Sequence, residues 1–303
     1  MTSVPKGRSR GSTHGRTKGA LLPFTSVLSL VVLPFLIIAS LLLYLAPAQT
    51  DVHFAWTITP PLTARYLASA YLGGVWFFGS VLVVRSWDQV RHGFPAVMTF
   101  AALLGIATVL HWDKFHAGHI SFVAWATLYV TTPFLVAAAL VLESRRRAKR
   151  SPPVTPPLDT VIPRGWRIAL AAVGLGSLIV GVTLFLVPTI GVDFWAWSLT
   201  PLTARVLGAT LTLPGMVNLW LLFDARWSAF RILFQAQMVS LGFILVAILL
   251  SWSELDFTRP AAWFVVPGLA GSLLVYALLY RHCQRRARLD LPVSGPPVNP
   301  RTA

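Results

Sequence analysis

Cysteine is nearly absent, with one residue, Cys283, in 303. That count excludes a disulfide framework, a cysteine-rich zinc site and an iron–sulfur cluster. Charge is scarce too: Asp, Glu, Lys and Arg make up 12% of the chain against 55% hydrophobic residues, and mean hydropathy is +0.69. A water-soluble fold of this size could not hide that much apolar surface. Only ten residues are acidic, and none falls in the middle of an apolar run, which argues against a pump built on a buried carboxylate relay. Glycine-rich phosphate loops, kinase signatures, nucleophile elbows and zincin motifs are missing.

What the chain has instead is eight apolar runs: Leu21–Ala46, Leu62–Val84, Phe94–Leu110, Ile120–Leu142, Ile168–Val187, Leu202–Phe223, Phe230–Leu250 and Ala261–Tyr280. Each approaches or exceeds the ~20 residues a helix needs to cross ~30 Å of hydrocarbon. They do not alternate apolar with polar, as strands of a membrane barrel would. The expected fold class is an all-α integral membrane protein with eight transmembrane helices. The basic start, the first apolar run and Ala46-Pro47-Ala48 imitate a signal peptide, but the run is too long for a signal core and has a counterpart later in the chain, so it reads as a retained helix.

Charge orients the spans. With the N-terminus inside, 21 of the 25 Lys and Arg fall on inner segments, and only Arg65, Lys114, Arg205 and Arg259 lie outside. This positive-inside asymmetry places both termini in the cytoplasm. It also accounts for the net +15 through anionic lipid headgroups at the basic cytoplasmic segments, so no nucleic-acid partner is expected. Arginine, alanine, proline and glycine are plentiful and lysine numbers four, a composition that points to a GC-rich bacterial genome and hence a bacterial cytoplasmic membrane.

The most informative feature is an internal duplication. Ala55-Trp56-Thr57-Ile58-Thr59-Pro60-Pro61-Leu62-Thr63-Ala64-Arg65-Tyr66-Leu67 returns as Ala196-Trp197-Ser198-Leu199-Thr200-Pro201-Leu202-Thr203-Ala204-Arg205-Val206-Leu207. With one proline dropped, nine of twelve positions are identical. Pro47 precedes Trp56 by nine residues, as Pro188 precedes Trp197, and a tryptophan follows each arginine by 47 (Trp112 and Trp252). The chain therefore reads as two tandem four-helix repeats, 21–142 and 166–282, parallel because each holds an even number of spans. A basic tail (1–20), a basic then proline-rich linker (143–165) and a second tail (283–303) complete the organisation, with the tails expected to be disordered.

Thr59 and Thr200 read as helix N-caps, each followed by a proline in the first turn. Arg65 and Arg205 then lie one turn into an apolar helix, at the end where the helix dipole disfavours a cation. The nearest acids are Asp113 in the first repeat and Glu254 or Asp256 in the second. The simpler reading is that the arginines snorkel and pin each loop to a neighbouring hairpin. The sharper one is a symmetric pair facing an anionic substrate or lipid headgroup. Trp56 and Trp197 read as interfacial anchors, with ligand stacking the alternative.

His111, Asp113, His116 and His119 gather in one outer loop near His53. Their spacing permits a transition-metal site, a histidine base beside an orienting carboxylate, or a proton sensor or relay, but structural polarity is the simpler account. No cofactor is expected beyond that possible metal. Gln235, Gln237 and Asn218 are the main polar groups within the spans, read first as interhelical hydrogen-bonding residues. Gly73-Gly74 and Pro214-Gly215 occupy matching places in the second and sixth spans. Such paired breaks are where a transporter places its binding site. Three function classes survive: a small-molecule or lipid permease with its path between the repeats, an outer-face membrane enzyme using the His/Asp cluster on an envelope or lipid-linked substrate, and a scaffold or accessory subunit.

Overall fold

A computed structural model describes residues 21–149 and 159–289. The first tail, the middle of the linker and the end of the second tail lie outside the described residues. Among the described residues, eight helices are long and apolar enough to span a membrane. They are α1 (Pro23–Leu45), α2 (Pro61–Val84), α3 (Gly93–Leu110), α4 (Ile120–Ala148), α5 (Arg164–Leu186), α6 (Pro201–Leu219), α7 (Trp227–Leu250) and α8 (Pro260–Leu289). The chain is an all-helical, polytopic membrane protein, and the eight runs of the sequence coincide with its spans.

Two boundaries differ from expectation. Helix α4 runs on to Ala148, so residues 143–148, assigned above to the linker, are helical. Helix α8 runs to Leu289, so 283–289, assigned to a disordered tail, is helix as well, with Cys283 fully buried. In both cases arginines in the last turn suit the negative end of the helix dipole, and the helix outlasts its apolar stretch.

Several helix starts are completed by distant carboxylates. Glu143, buried near the far end of α4, accepts hydrogen bonds from the Leu22 N–H (2.7 Å) and the Thr25 hydroxyl (3.1 Å) at the start of α1. Asp159 accepts from the Ser228 N–H (3.2 Å) at the start of α7. Free N–H groups at a helix start attract anions, and here the anion comes from another segment.

Adjacent helices pack as the pairs α1–α2, α3–α4, α5–α6 and α7–α8. Across the halves, α2 packs on α7 and α3 on α6, and α1 also touches α4. Followed from neighbour to neighbour, the order is α8, α7, α2, α1, α4, α3, α6, α5. Glycines permit the closest approaches. A Cβ on Gly181 of α5 would stand 2.7 Å from the Gly208 carbonyl oxygen of α6, and one on Gly73 of α2 would stand 2.9 Å from that of Ala236 on α7.

Candidate functional site

The end of the bundle that carries Arg65 and Arg205 is built from four loops. Backbone bonds join them in matching ways: the His116 N–H donates to the Ala55 carbonyl, and the Asp256 N–H to that of Ala196, each at 2.9 Å. The two copies of the motif start their helices differently. Thr200 caps α6 in a reciprocal arrangement with Thr203, as expected. Thr59 does not cap α2. The extra proline moves the cap position to Pro60, whose side chain can accept nothing, and Glu254 from the far half supplies the oxygen by accepting the Leu62 N–H at 2.7 Å. A proline inserted in one copy is thus matched by a carboxylate in the other half.

The arginines exchange partners across the halves. Arg65 Nη1 donates to Oγ of Ser251 at 2.5 Å, and Arg205 Nη1 donates to Nε2 of His111 at 2.6 Å. His111 and Ser251 are the residues just before the two spaced tryptophans, so each arginine reaches the corresponding position of the opposite half. None of the acids nominated from sequence is the hydrogen-bond partner of either arginine. Asp113 pairs with Lys114, Asp256 with Arg259, and Glu254 caps α2. A hydroxyl and a neutral imidazole accept only one or two hydrogen bonds and leave the guanidinium charge unneutralised. Burial, and then the Arg205 cation, hold His111 below the ordinary histidine range, which keeps it in the form that can accept.

The four metal candidates do not converge. His111 faces Arg205, while Asp113 is exposed and bound to Lys114. His116 Nδ1 donates to the Phe54 carbonyl at 2.9 Å, with Nε2 3.2 Å from the Thr57 hydroxyl. His119 Nδ1 accepts from the Ser121 N–H and hydroxyl at the start of α4. Among the described residues no group of three His, Cys, Asp or Glu side chains could hold a metal ion. These loop polar groups tie down strand-like turns and helix starts.

Trp56 and Trp197 are core residues, not interfacial anchors, at 2% and 0% exposure. Trp56 packs against Phe54, Phe115 and Trp125, and the Trp197 indole N–H donates to the Thr63 hydroxyl of α2 at 2.9 Å. The exposed tryptophans of these loops are Trp112 and Trp252. Loop polarity misled the sequence reading, because the loops fold back as aromatic plugs over the helix ends.

At the opposite end lies a cluster that sequence reasoning missed. Asp224, nearly buried, accepts from Arg91 (2.7 Å), Arg226 (2.8 Å) and His92 (2.9 Å). His92 stacks on Phe230 with ring centres 5.1 Å apart. Burial alone would raise the Asp224 pKa, but these hydrogen bonds hold it far below the usual carboxylate range. The cluster joins the α2–α3 and α6–α7 connections, so the halves are clasped at both ends. Its one available signal was an acid two residues before Arg226-Trp227, just past an apolar run.

Between the clasps lies a cavity of about 560 Å³ lined by residues from all eight helices. Its wall is overwhelmingly apolar, and no charged side chain lines it among the described residues. Gly73, Gly74 and Pro214 lie on it and Gly215 does not, and the breaks expected from the sequence do not form, because α2 and α6 run unbroken through these positions. Asn218 and Gln235 find partners in Tyr276 (2.6 Å) and Tyr280 (2.7 Å) on α8. Gln237 does not: it lines the cavity with both amide atoms shut off from water and unpartnered.

No protein-family model, characterised protein or solved structure matches this chain.

Proposed function

We propose that the protein is a permease for small apolar or lipid-like molecules, with its path in the cavity between two parallel four-helix repeats. The observation that carries this reading is the cavity itself, which takes lining from every span. Its volume lies within the ~300–1,000 Å³ range of ligand pockets. The matched backbone bonds and exchanged arginine contacts support reading the halves as repeats about an axis along the membrane normal. The basic bias of the inner segments supports both termini in the cytoplasm, contact of those segments with anionic lipid headgroups, and, with the arginine-rich composition, a bacterial cytoplasmic membrane. The incompletely neutralised Arg65 and Arg205 then sit at the outer end of the path, suited to an anionic headgroup.

Nothing in the geometry favours the enzyme reading, because each member of the His/Asp cluster is committed to a different partner. The scaffold reading asks nothing of a central cavity. Reconstitution into phospholipid vesicles with fluorescently labelled phosphatidylglycerol tests the proposal, with dithionite bleaching reporting transfer between leaflets. Wild type should expose inner-leaflet lipid, and Ala70→Phe, which places a ring in the cavity, should return flux to the protein-free level. Wild-type vesicles indistinguishable from protein-free ones, for this lipid and for a panel of small apolar dyes, would sink it.

A further inference from the structure

The ring of helices is complete on one side and incomplete on the other. On the closed side α1 meets α4, held by Thr25 on Glu143 and by Phe35 edge-on to Tyr129. The sequence counterparts of α1 and α4 are α5 and α8, and these form no comparable packing. The first half of helix α8 is anchored sparsely, with Val265, Val266 and Leu269 only partly buried against the core. At the arginine end, Arg259 donates to the Val192 carbonyl at 2.9 Å. At mid-helix, Tyr276 accepts from Asn218 of α6 at 2.6 Å. Between Ala262 and Tyr276 no residue of α8 is buried.

The residues facing this gap line the cavity and are exposed as well. Val173 and Val180 of α5 are 47% and 42% exposed, and Phe264 of α8 is 74% exposed. Gly176 and Gly268 also line the cavity, and a Cβ at either would meet no atom within 4 Å. A residue that belongs both to a cavity wall and to the outer surface marks the mouth of that cavity. Here the mouth lies at mid-span, where its surroundings are hydrocarbon.

We infer that the α5–α8 seam is a lateral window through which the hydrocarbon chain of a membrane lipid enters the central cavity. The inference rests on the permease reading and names both its substrate class and its route. Both ends of the bundle are clasped by polar contacts between the halves, whereas the seam lies within the second half and has a polar tie only at its arginine end, from Arg259 to the Val192 carbonyl. What passes an apolar mouth at that depth is a molecule already dissolved in the bilayer. The wall accepts a chain, and because it holds no charged group to offset the desolvation of an ion, the headgroup of the lipid stays outside the cavity while its chain enters. Gln237 adds no polar contact for the entering molecule, because both its amide atoms are sealed inside the protein.

Vesicles containing phosphatidylglycerol with an acyl-chain diazirine test the window directly. After illumination, labelled residues are mapped by mass spectrometry. Phe100 and Ala101 of α3 are buried from outside yet line the cavity, so they report chain occupancy; Val31 and Phe134 face outward and report bulk lipid. Wild type should be labelled at both sets. Gly176→Phe with Gly268→Phe should lose the label at Phe100 and Ala101 and keep it at Val31 and Phe134. The open space at both glycines lets the rings fit, and Val173→Trp is an independent block should that pair not fold. An unlabelled Phe100–Ala101 pair in wild type, or equal labelling with the mouth blocked, overturns the window. Leaflet transfer in the same vesicles separates the two readings. Cavity label lost on blocking, without wild-type transfer, keeps the window and removes the permease. Wild-type transfer that persists with the mouth blocked does the opposite.

Discussion

Arg205 Nη1 lies 2.6 Å from Nε2 of His111, a bond that only an uncharged imidazole can accept, while Arg65 makes the corresponding bond to Ser251, which does not titrate in this range. The two clasps at this end of the bundle are alike in geometry and unlike in their response to acid.

Stability should therefore fall as pH drops. The His111 pKa is lowered in the folded protein, so its contribution is fully present above the unfolded value of about 6.5 and is lost as pH falls from there toward the lowered one. His92 is lowered as well, chiefly by burial, and adds the same sign. His111→Ser, which copies the Arg65 clasp, should flatten part of the slope and leave the His92 part. Thermal unfolding midpoints in detergent across about pH 5–8 give the comparison, and an unchanged slope in the variant would refute the assignment.

Removing Asp224 should damage the protein more than removing either arginine attached to it. Asp224→Asn leaves Arg91 and Arg226 facing each other around a buried amide. Breaking a buried pair costs ~3–5 kcal/mol, and the low end applies here because Arg226 is partly exposed. Because the Asp224 pKa is depressed, its contribution is present above the unfolded aspartate value of about 3.9 and is lost only as pH falls below it. The carboxylate itself should therefore add no slope between about pH 5 and 8. Chemical denaturation in mild detergent measures the loss, and equal damage from Arg91→Ala would argue against Asp224 as the centre of the cluster.

The two helix starts offer a matched comparison. Thr200→Ala removes a local cap from α6, and Glu254→Ala removes a distant one from α2, each worth about 1 kcal/mol. Glu254→Gln keeps an acceptor oxygen and should recover most of that loss. If Glu254→Ala proves silent while Thr200→Ala does not, the Glu254 contact contributes nothing to α2.

The span positions were legible because hydrocarbon imposes a length and a composition on any helix that crosses it, and the spans lie where the apolar runs do. The repeated motif was equally plain in sequence. Its chemistry was not, since a sequence pattern cannot say that Arg65 looks past its own half to Ser251, or that a second proline transfers a capping duty to Glu254. Trp56 and Trp197 were misplaced for a related reason: loop tryptophans in a membrane chain resemble anchors until the loops fold inward. The Asp224 cluster assembles only when two connections far apart in sequence meet, and the α5–α8 gap is an absence of packing that no residue announces.

Glu254 caps a helix that begins 192 residues before it in bond separation, and Arg65 waits 186 residues for Ser251. During synthesis, α2 thus enters the bilayer with its first turn unfinished and its cation without its final partner, and it stays so until the seventh span has been delivered. The first four helices form a provisional assembly with α2 and α3 showing faces reserved for α7 and α6. Completion comes from the second half, so a ribosome that stops after the linker leaves α2 and α3 with the faces that meet α7 and α6 turned toward lipid.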